Sequence, residues 1–542
     1  VQTCALPILL NLPQVGLDEN FFGLGGDSIQ SIQVVSGARQ AGWQLAPKDM
    51  FLHQTVRAQA RVARPAAPAQ AEHAPMQGDV ALAPIQHWFF EQRFANPHHW
   101  NQSVLLAPVT PLSLAPLQAA LDQLAAHHDA LRLRFERTSS GWRQHCVAQA
   151  VVPVKLIDVP SFEHPDFETA CRACQAGLDI EQGPVFQAAL LQSGGAQRLL
   201  LAAHHLAVDG WSWRVLIEDL THLLDTATQE TAALPARTAS FQHWTALLGA
   251  PTWQAAARSE AAWWAEAVSA WPEPWPMDKP SGLATEATIR TLPLALSADR
   301  THALLTQAAP ALRAKVDEVL LAALLQSLGE WSGAAEVGFE LETHGRDPLK
   351  GLADAGSVAG ADVPDLSRTV GWFTALYPLR LPTLRGQSLS AVLKAVKERL
   401  RAVPEGGQGY GILRHLQGEP LAVRPQVSFN YLGQFDASLT GGGLFSLAPE
   451  ACPGQYDERA TSHCAFDLNG YIAEGVLHLD WRFSVAQYDS ATVQALAESF
   501  IGHLNAVIDQ PLDQAAQALS PADFPEAGLD AQALAGLLDD ME

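Results

Sequence analysis

The sequence predicts a small all-α unit followed by a much larger mixed α/β unit in two lobes. Three observations carry that expectation. At 542 residues the chain exceeds what one hydrophobic core supports, and a length prior suggests roughly three to four units. Residues 61–79 are rich in Ala and Pro and show no apolar periodicity, which is linker composition. Beyond that break, apolar runs of strand length alternate with stretches of helical spacing, the pattern of an α/β architecture.

Taken in order, residues 1–8 do not blend into the segment after them, and a cut or non-native N-terminus is expected. Residues 9–22 read as the end of a helix and its loop. A helix over 28–41 is predicted by Ile29, Ile32, Val35 and Ala38 at helical spacing, with Asp27 as its cap. In the large unit, helices are expected at 113–127, 211–226, 253–270, 298–307, 315–328, 389–403 and 491–508. Strands are expected at 104–106, 131–135, 198–203, 335–341, 374–381, 427–431 and 476–483, with a lobe boundary near 279–288. No internal repeat is evident, and residues 520–542 read as a linker with a short acidic helix.

Hydrophobic residues make up 48% and charged residues 17%, enough apolar content to fold. A formal net charge of −23 argues against nucleic acid or an anionic membrane as partner, because both select basic faces. No run is long and apolar enough to span a bilayer and no signal peptide is visible, so a cytoplasmic location is expected. Six scattered cysteines suit a reducing compartment. Cys171 and Cys174 form a lone Cys-x-x-Cys in a helical, polar stretch. Without a second pair they read as surface helix cysteines rather than a metal or redox site.

Two motifs carry chemistry. In Leu24-Gly25-Gly26-Asp27-Ser28 a serine opens a helix, where free amides and the helix dipole favour a phosphate ester; by spacing alone an ordinary capping turn is as good a reading. With Asp18-Glu19-Asn20-Phe21-Phe22 before it, the segment resembles the peptidyl carrier domains of nonribosomal peptide synthetases. That resemblance spans 9–62, and 63–79 is then the linker. It implies that Ser28 bears a 4′-phosphopantetheine arm, placed there by a phosphopantetheinyl transferase, which holds an aminoacyl or peptidyl thioester. The family usually has His before that serine when the carrier feeds a condensation domain and Asp when it feeds an epimerization domain; here it is Asp27.

The second motif is His204-His205-Leu206-Ala207-Val208-Asp209-Gly210. It lies between an apolar strand-like run, residues 199–203, and a helical pattern that Ser212 can cap. Adjacent histidines in an extended run point to opposite sides, and such a pair is more often structural than catalytic. Further on come Asp317-Glu318-Val319-Leu320-Leu321, Glu342-Thr343-His344-Gly345-Arg346-Asp347, Arg368-Thr369-Val370-Gly371-Trp372-Phe373-Thr374, Gly407-Gln408-Gly409-Tyr410-Gly411 and Phe429-Asn430-Tyr431-Leu432-Gly433. In this order the series resembles the epimerization domains of nonribosomal peptide synthetases, within the condensation-domain superfamily. The resemblance spans 80–516 and implies two chloramphenicol-acetyltransferase-like lobes in a V, about 80–280 and 281–516, with 517–542 as a tail. Thr343 stands where that family usually has Gly.

What the resemblance implies is epimerization at Cα of a thioester-bound residue. That reaction removes a proton and returns one to the opposite face, so two groups on opposite sides are the simplest solution. His205 and Glu342 are the expected pair, each tuned toward neutrality, with burial raising Glu342. His204 is expected to pack, and Asp209, beside Gly210, to pair with an arginine, Arg346 being the first candidate. Ser212 is a cap that can also meet substrate. Tyr431 is either a core aromatic or a proton relay, and Asn430 and Trp372 are expected along the arm's tunnel. No lysine stands out as a Schiff-base site and no glycine loop suits a nucleotide, so no metal and no pyridoxal phosphate are expected. An upstream adenylation domain and a downstream condensation domain are the implied partners. The alternatives are a peptide-bond-forming condensation domain, which shares the His-His turn, and a non-catalytic docking scaffold.

Overall fold

The computed structural model describes residues 15–21, 24, 26, 31, 34–35, 37–38, 41–45, 49–50, 53–65, 76–225, 234–347, 349, 364–434, 443–510 and 519–523. The expectations for 1–8, Asp27, Ser28 and the acidic helix of the tail lie outside the described residues. In the small unit, Ser31, Val34, Val35, Gly37 and Ala38 are helical as the spacing predicts. Phe21, Val34, Met50 and Val56 form its core. A helix over Val56–Val62 is capped by Thr55, whose side chain accepts from the Ala58 amide at 3.2 Å. The all-α expectation needs one correction: β1 (Trp43–Gln44) pairs antiparallel with β2 (Arg64–Pro65), so the expected linker begins inside a ladder.

The large unit opens with β3 (Gly78–Val80), followed by β4 (Asn101–Pro108), β5 (Leu133–Thr138), β6 (Gly141–Cys146), β7 (Val154–Asp158), β8 (Phe186–Ser193) and β9 (Ala196–His204). β3, β6 and β5 make a three-stranded sheet, while β4, β9, β8 and β7 form the main sheet of the first lobe. The first six residues of β8 are all buried, so that strand has no alternation for a sequence pattern to reveal. The helices Leu114–His127 and Gly210–Asp225 belong to this lobe and agree with expectation to within a residue.

The second lobe is built on β10 (Ile289–Leu296), β11 (Glu336–Thr343), β12 (Ala375–Pro382), β13 (Val427–Gln434), β15 (Phe466–Ala473) and β16 (Val476–Ser484), with the short β14 (Phe445–Leu447) between β13 and β15 in sequence. The sheet order is β10-β16-β15-β13-β11-β12, and β13 runs parallel to both its neighbours. β15 alternates strictly between buried and half-buried positions. The apolar face packs on the helices Val316–Ser332 and Ser490–Ile508. On the opposite face Glu340 contacts His463, whose ring meets Trp88 of the first lobe edge-on at 5.2 Å.

Three expectations are corrected. One strand departs from the contiguous split near 280: β14, from the second half of the chain, pairs with β4 in the first lobe's sheet. The expected helix over 253–270 is two, Pro251–Ser259 and Ala261–Val268, broken at Glu260, whose carboxylate accepts from the Trp264 indole at 2.9 Å. Cys171 and Cys174 are not on the surface: they are buried on the inward side of the helix Pro165–Gln175, and both are free thiols. No helix of the described residues is long and apolar enough to cross a membrane.

Candidate active site

The His-His motif sits where the sequence puts it. β9 ends at His204, a single 3₁₀ turn covers His205–Ala207, and the helix Gly210–Asp225 follows. The two rings diverge. His204 is fully buried; its Nε2 lies 2.9 Å from the Pro97 carbonyl and its Nδ1 accepts from the Leu206 amide at 3.2 Å. Burial pushes it down to about 3, so it is a neutral packing group. His205 is half-buried, with its backbone amide donating to the Trp100 carbonyl at 2.9 Å. Its Nδ1 lies 2.9 Å from the Val208 carbonyl and its Nε2 3.0 Å from the Gln102 amide nitrogen. Trp372, from the other half of the chain, stacks on the ring at 4.1 Å between centroids. Burial also depresses the His205 pKa. A Cβ at Gly210 would meet nothing within 4 Å, so the glycine leaves open space beside the turn.

Asp209 and Arg346 meet as expected and pin the lobes together. Arg346 Nη2 donates to Asp209 Oδ1 and Oδ2 at 2.9 and 2.8 Å, with the aspartate 5% and the arginine 7% exposed. Arg346 Nη1 donates to the carbonyls of Leu366 and Thr369, and its guanidinium lies 3.9 Å from the Phe373 ring centroid. Gly345 makes this approach possible: at φ 62°, a Cβ there would sit 1.8 Å from the Phe373 carbonyl oxygen. The cap expectation is corrected. Asp209, not Ser212, caps the helix, accepting from the Ser212 amide at 2.7 Å. The Ser212 hydroxyl is fully buried among Asp209 and the Gly371 backbone, which leaves it no face for a substrate.

Glu342 stands on the polar face of β11. Its register places it with Glu340 on the same strand, and through Leu341↔Phe429 with Asn430 on β13. The Glu342 carboxyl makes no hydrogen bond among the described residues, while its backbone pairs with Leu376 in the β11–β12 ladder. Burial pushes it up to about 8, helped by the charges of Glu340 and Asp467 and opposed by His463. His463 Nε2 is 2.5 Å from Glu340 Oε1 and its pKa is raised by that carboxylate together with Asp467 and Glu342, against the opposing effect of burial. Tyr431 shares the parity of Phe429, so it lies on the core-facing side of β13, opposite Glu342; of the two readings of Tyr431, core aromatic fits this placement.

Two routes join the walls. Trp372 meets Trp88 edge-on at 6.4 Å, and Trp88 meets His463 edge-on at 5.2 Å. The segment leading from β14 to β15 also bridges them. In that stretch Glu450 accepts from Arg198 at 2.7 Å, Gln455 accepts from the Asn101 amide at 2.8 Å, and Tyr456 bridges Trp100, the residue whose carbonyl holds His205. Tyr456, pushed up to about 12 by burial, lies under Arg482 and within the field of Glu342. Sequence reasoning missed Gln102, Glu340, Tyr456 and His463. Of these only Glu340 carried a signal, its i−2 spacing from Glu342 on one strand face.

A pocket of about 660 Å³, open mouth included, reaches the Trp88–Glu340 end of the cleft between Ala83, Pro84, Thr374 and Tyr410. Among the described residues, His127, His128 and Asp219 bring three potential metal ligands together, but Arg368 donates to Asp219 and occupies the carboxylate with a guanidinium.

Comparison with known proteins supplies the frame for this geometry. Residues 76–529 match the family model described as Condensation domain, and residues 6–63 match that of the phosphopantetheine attachment site. One of the linear gramicidin synthase subunits of Brevibacillus parabrevis is 41% identical over 97% of this chain, which spans only 7% of that protein's length. The crystal structure of the epimerization domain from the third module of tyrocidine synthetase B superposes with a TM-score of 0.74 at 30% identity. The match covers 83% of this chain and 100% of that one. A condensation domain from Monacolin K polyketide synthase shares the fold alone, with a TM-score of 0.63 at 15% identity over 81% of this chain and 99% of that one. The chain belongs to the condensation-domain family of nonribosomal peptide synthetases, with a phosphopantetheine carrier unit ahead of that domain.

Proposed function

We propose that this protein epimerizes an aminoacyl or peptidyl residue held as a thioester on its own carrier, with His205 and Glu342 as the two proton-carrying groups. The observation that carries the reading is their opposite proton occupancy. His205 has a depressed pKa and is neutral near pH 7, while Glu342, pushed up to about 8, is predominantly protonated there. A neutral imidazole on one lobe and a protonated carboxyl on the other are a base and an acid set before the substrate arrives.

The arm on Ser28 supplies a thioester, which acidifies the substrate's Cα. His205 Nε2 takes the Cα hydrogen as a proton, and Glu342 delivers its own proton to the opposite face. The inverted Cα then leaves behind an imidazolium and a carboxylate, which return to the starting state through proton exchange with water. The Trp372 ring stacked on His205 and the bridging segment under Trp100 restrict the imidazole to one orientation. An adenylation domain would load the arm, and a condensation domain selective for the D form would take the product.

The test loads an L-aminoacyl group onto the phosphopantetheinylated full chain in heavy water and follows deuterium at Cα by mass spectrometry, with chiral analysis of the released acid. Deuterium uptake with inversion is expected, and His205→Ala or Glu342→Gln should each lower it by about 10²–10⁴-fold. No uptake by the loaded wild type sinks the proposal. Peptide formation with a second loaded carrier would point to condensation instead.

A further inference from the structure

The nitrogen of His205 that would do the chemistry is occupied by a side chain whose own orientation is fixed from behind. The Trp213 indole N–H can only donate, and it lies 3.0 Å from Gln102 Oε1. That contact turns the Gln102 oxygen toward Trp213 and its NH₂ group toward His205 Nε2, 3.0 Å away. On the other edge of the ring, the Val208 carbonyl can only accept, so His205 Nδ1 at 2.9 Å carries the hydrogen. All three contacts run from donor to acceptor in one state alone: neutral imidazole, Nδ1 protonated, lone pair on Nε2. An imidazolium would set its Nε2–H against the Gln102 NH₂, donor facing donor, in a half-buried setting where a lost hydrogen bond is expensive.

We infer that Gln102, oriented by Trp213, is a positioning residue that holds His205 in its neutral, Nε2-basic form and yields that nitrogen to the substrate's Cα hydrogen. Its mechanistic consequence rests on the epimerization reading; the hydrogen-bond geometry does not. The same arrangement drives the reset, since the imidazolium formed in turnover faces a donor and sheds its proton. The titratable groups acting on His205 are Asp209, on its own turn and already paired with Arg346, and His204, whose ring is turned onto the Pro97 carbonyl. Trp372 and Gln102, which contact the ring, and Trp213 behind Gln102 carry no charge.

The experiment is a pH titration of the histidine ¹⁵N resonances in the full chain, with His205 assigned by its loss in His205→Ala. The wild type should show the Nδ1–H tautomer. Gln102→Glu places an acceptor against Nε2 and should raise the titration midpoint by about one unit or more. Trp213→Phe frees the amide to rotate and should raise it by less. In the loaded carrier assay, the acidic edge of the exchange rate should move up with the midpoint, so a one-unit shift means about a tenfold loss below it. An Nε2–H tautomer in the wild type, or a midpoint unmoved in both variants, overturns the inference. Shifted midpoints with no Cα exchange in the wild type would instead leave the role of Gln102 standing and remove the epimerization reading.

Discussion

Replacing Asp209 by Asn keeps the shape of the side chain and removes the charge that answers Arg346. The structure sets the size of the effect. The carboxylate accepts from Arg346 Nη2 twice, from the Ser212 amide and hydroxyl, and from the Phe373 amide at 3.3 Å. In the variant an NH₂ group must face one of these donors, and the guanidinium stays buried without a counterion. Breaking a buried pair from one side costs about 3–5 kcal/mol, or roughly 10² to 5 × 10³ in an opening equilibrium. Arg346→Met should cost less, because Asp209 keeps three donors and the N-terminus of its helix. The double variant should lose less than the sum of the two. The assay is native-state hydrogen–deuterium exchange of peptides containing Ser212 and Phe373, whose amides both donate to Asp209. Exchange accelerated less than about tenfold in Asp209→Asn, or a larger effect from Arg346→Met, would refute the reasoning.

The remaining predictions concern the opposite wall. Glu342→Gln should change stability in a pH-dependent way. The folded pKa of Glu342, about 8, lies above the unfolded value of 4.5, so the folded state binds the extra proton and wild-type stability falls as pH rises between the two. The glutamine variant lacks that loss, so its stability relative to wild type should grow from pH 5 to pH 8.5 in denaturant titrations; a constant difference would contradict the shift. His463→Gln removes the imidazole whose charge opposes the upward shift of Glu342. The basic edge of the Cα exchange rate, expected near 8 in the wild type, should therefore move to higher pH, and an unmoved or lowered edge would exclude His463 from the field at Glu342.

What could be read from sequence was what is local. The His204–Gly210 turn is encoded by an apolar run meeting helical spacing, and the structure differs there only in which residue caps. The Asp209–Arg346 pair came from resemblance, and the structure supplies its reason in the close approach that Gly345 permits. Gln102 and His463 stayed hidden because their partners lie far along the chain, 103 residues from Gln102 to His205 and 123 from His463 to Glu340. No periodicity encodes a segment that leaves one sheet, adds β14 to the other and returns through Tyr456 and His463. For the same reason β8 and the crossing of β14 escaped: continuous burial erases alternation, and strand exchange erases contiguity.

The two walls of the cleft bias their protons by different means toward one state. On the first lobe, a hydrogen-bond donor fixed by Trp213 faces His205 Nε2, and burial adds to it, so the imidazole gives up a proton readily. On the second, burial of the Glu342 carboxyl, reinforced by the negative charges of Glu340 and Asp467, raises its pKa, so it recovers one readily. Either device alone would make a single tuned residue. Together they make a pair whose resting state near pH 7 is neutral base and loaded acid, which, on the epimerization reading, each cycle must restore. A His-His turn without the carboxylate face would serve equally well to deprotonate an amine in peptide-bond formation. What separates the two chemistries on this reading is therefore the β11 face, and Glu340→Gln makes the distinction quantitative. Removing that neighbouring charge should lower the Glu342 pKa and shift the basic edge of Cα exchange below 8, while leaving the acidic edge set by His205 where it is.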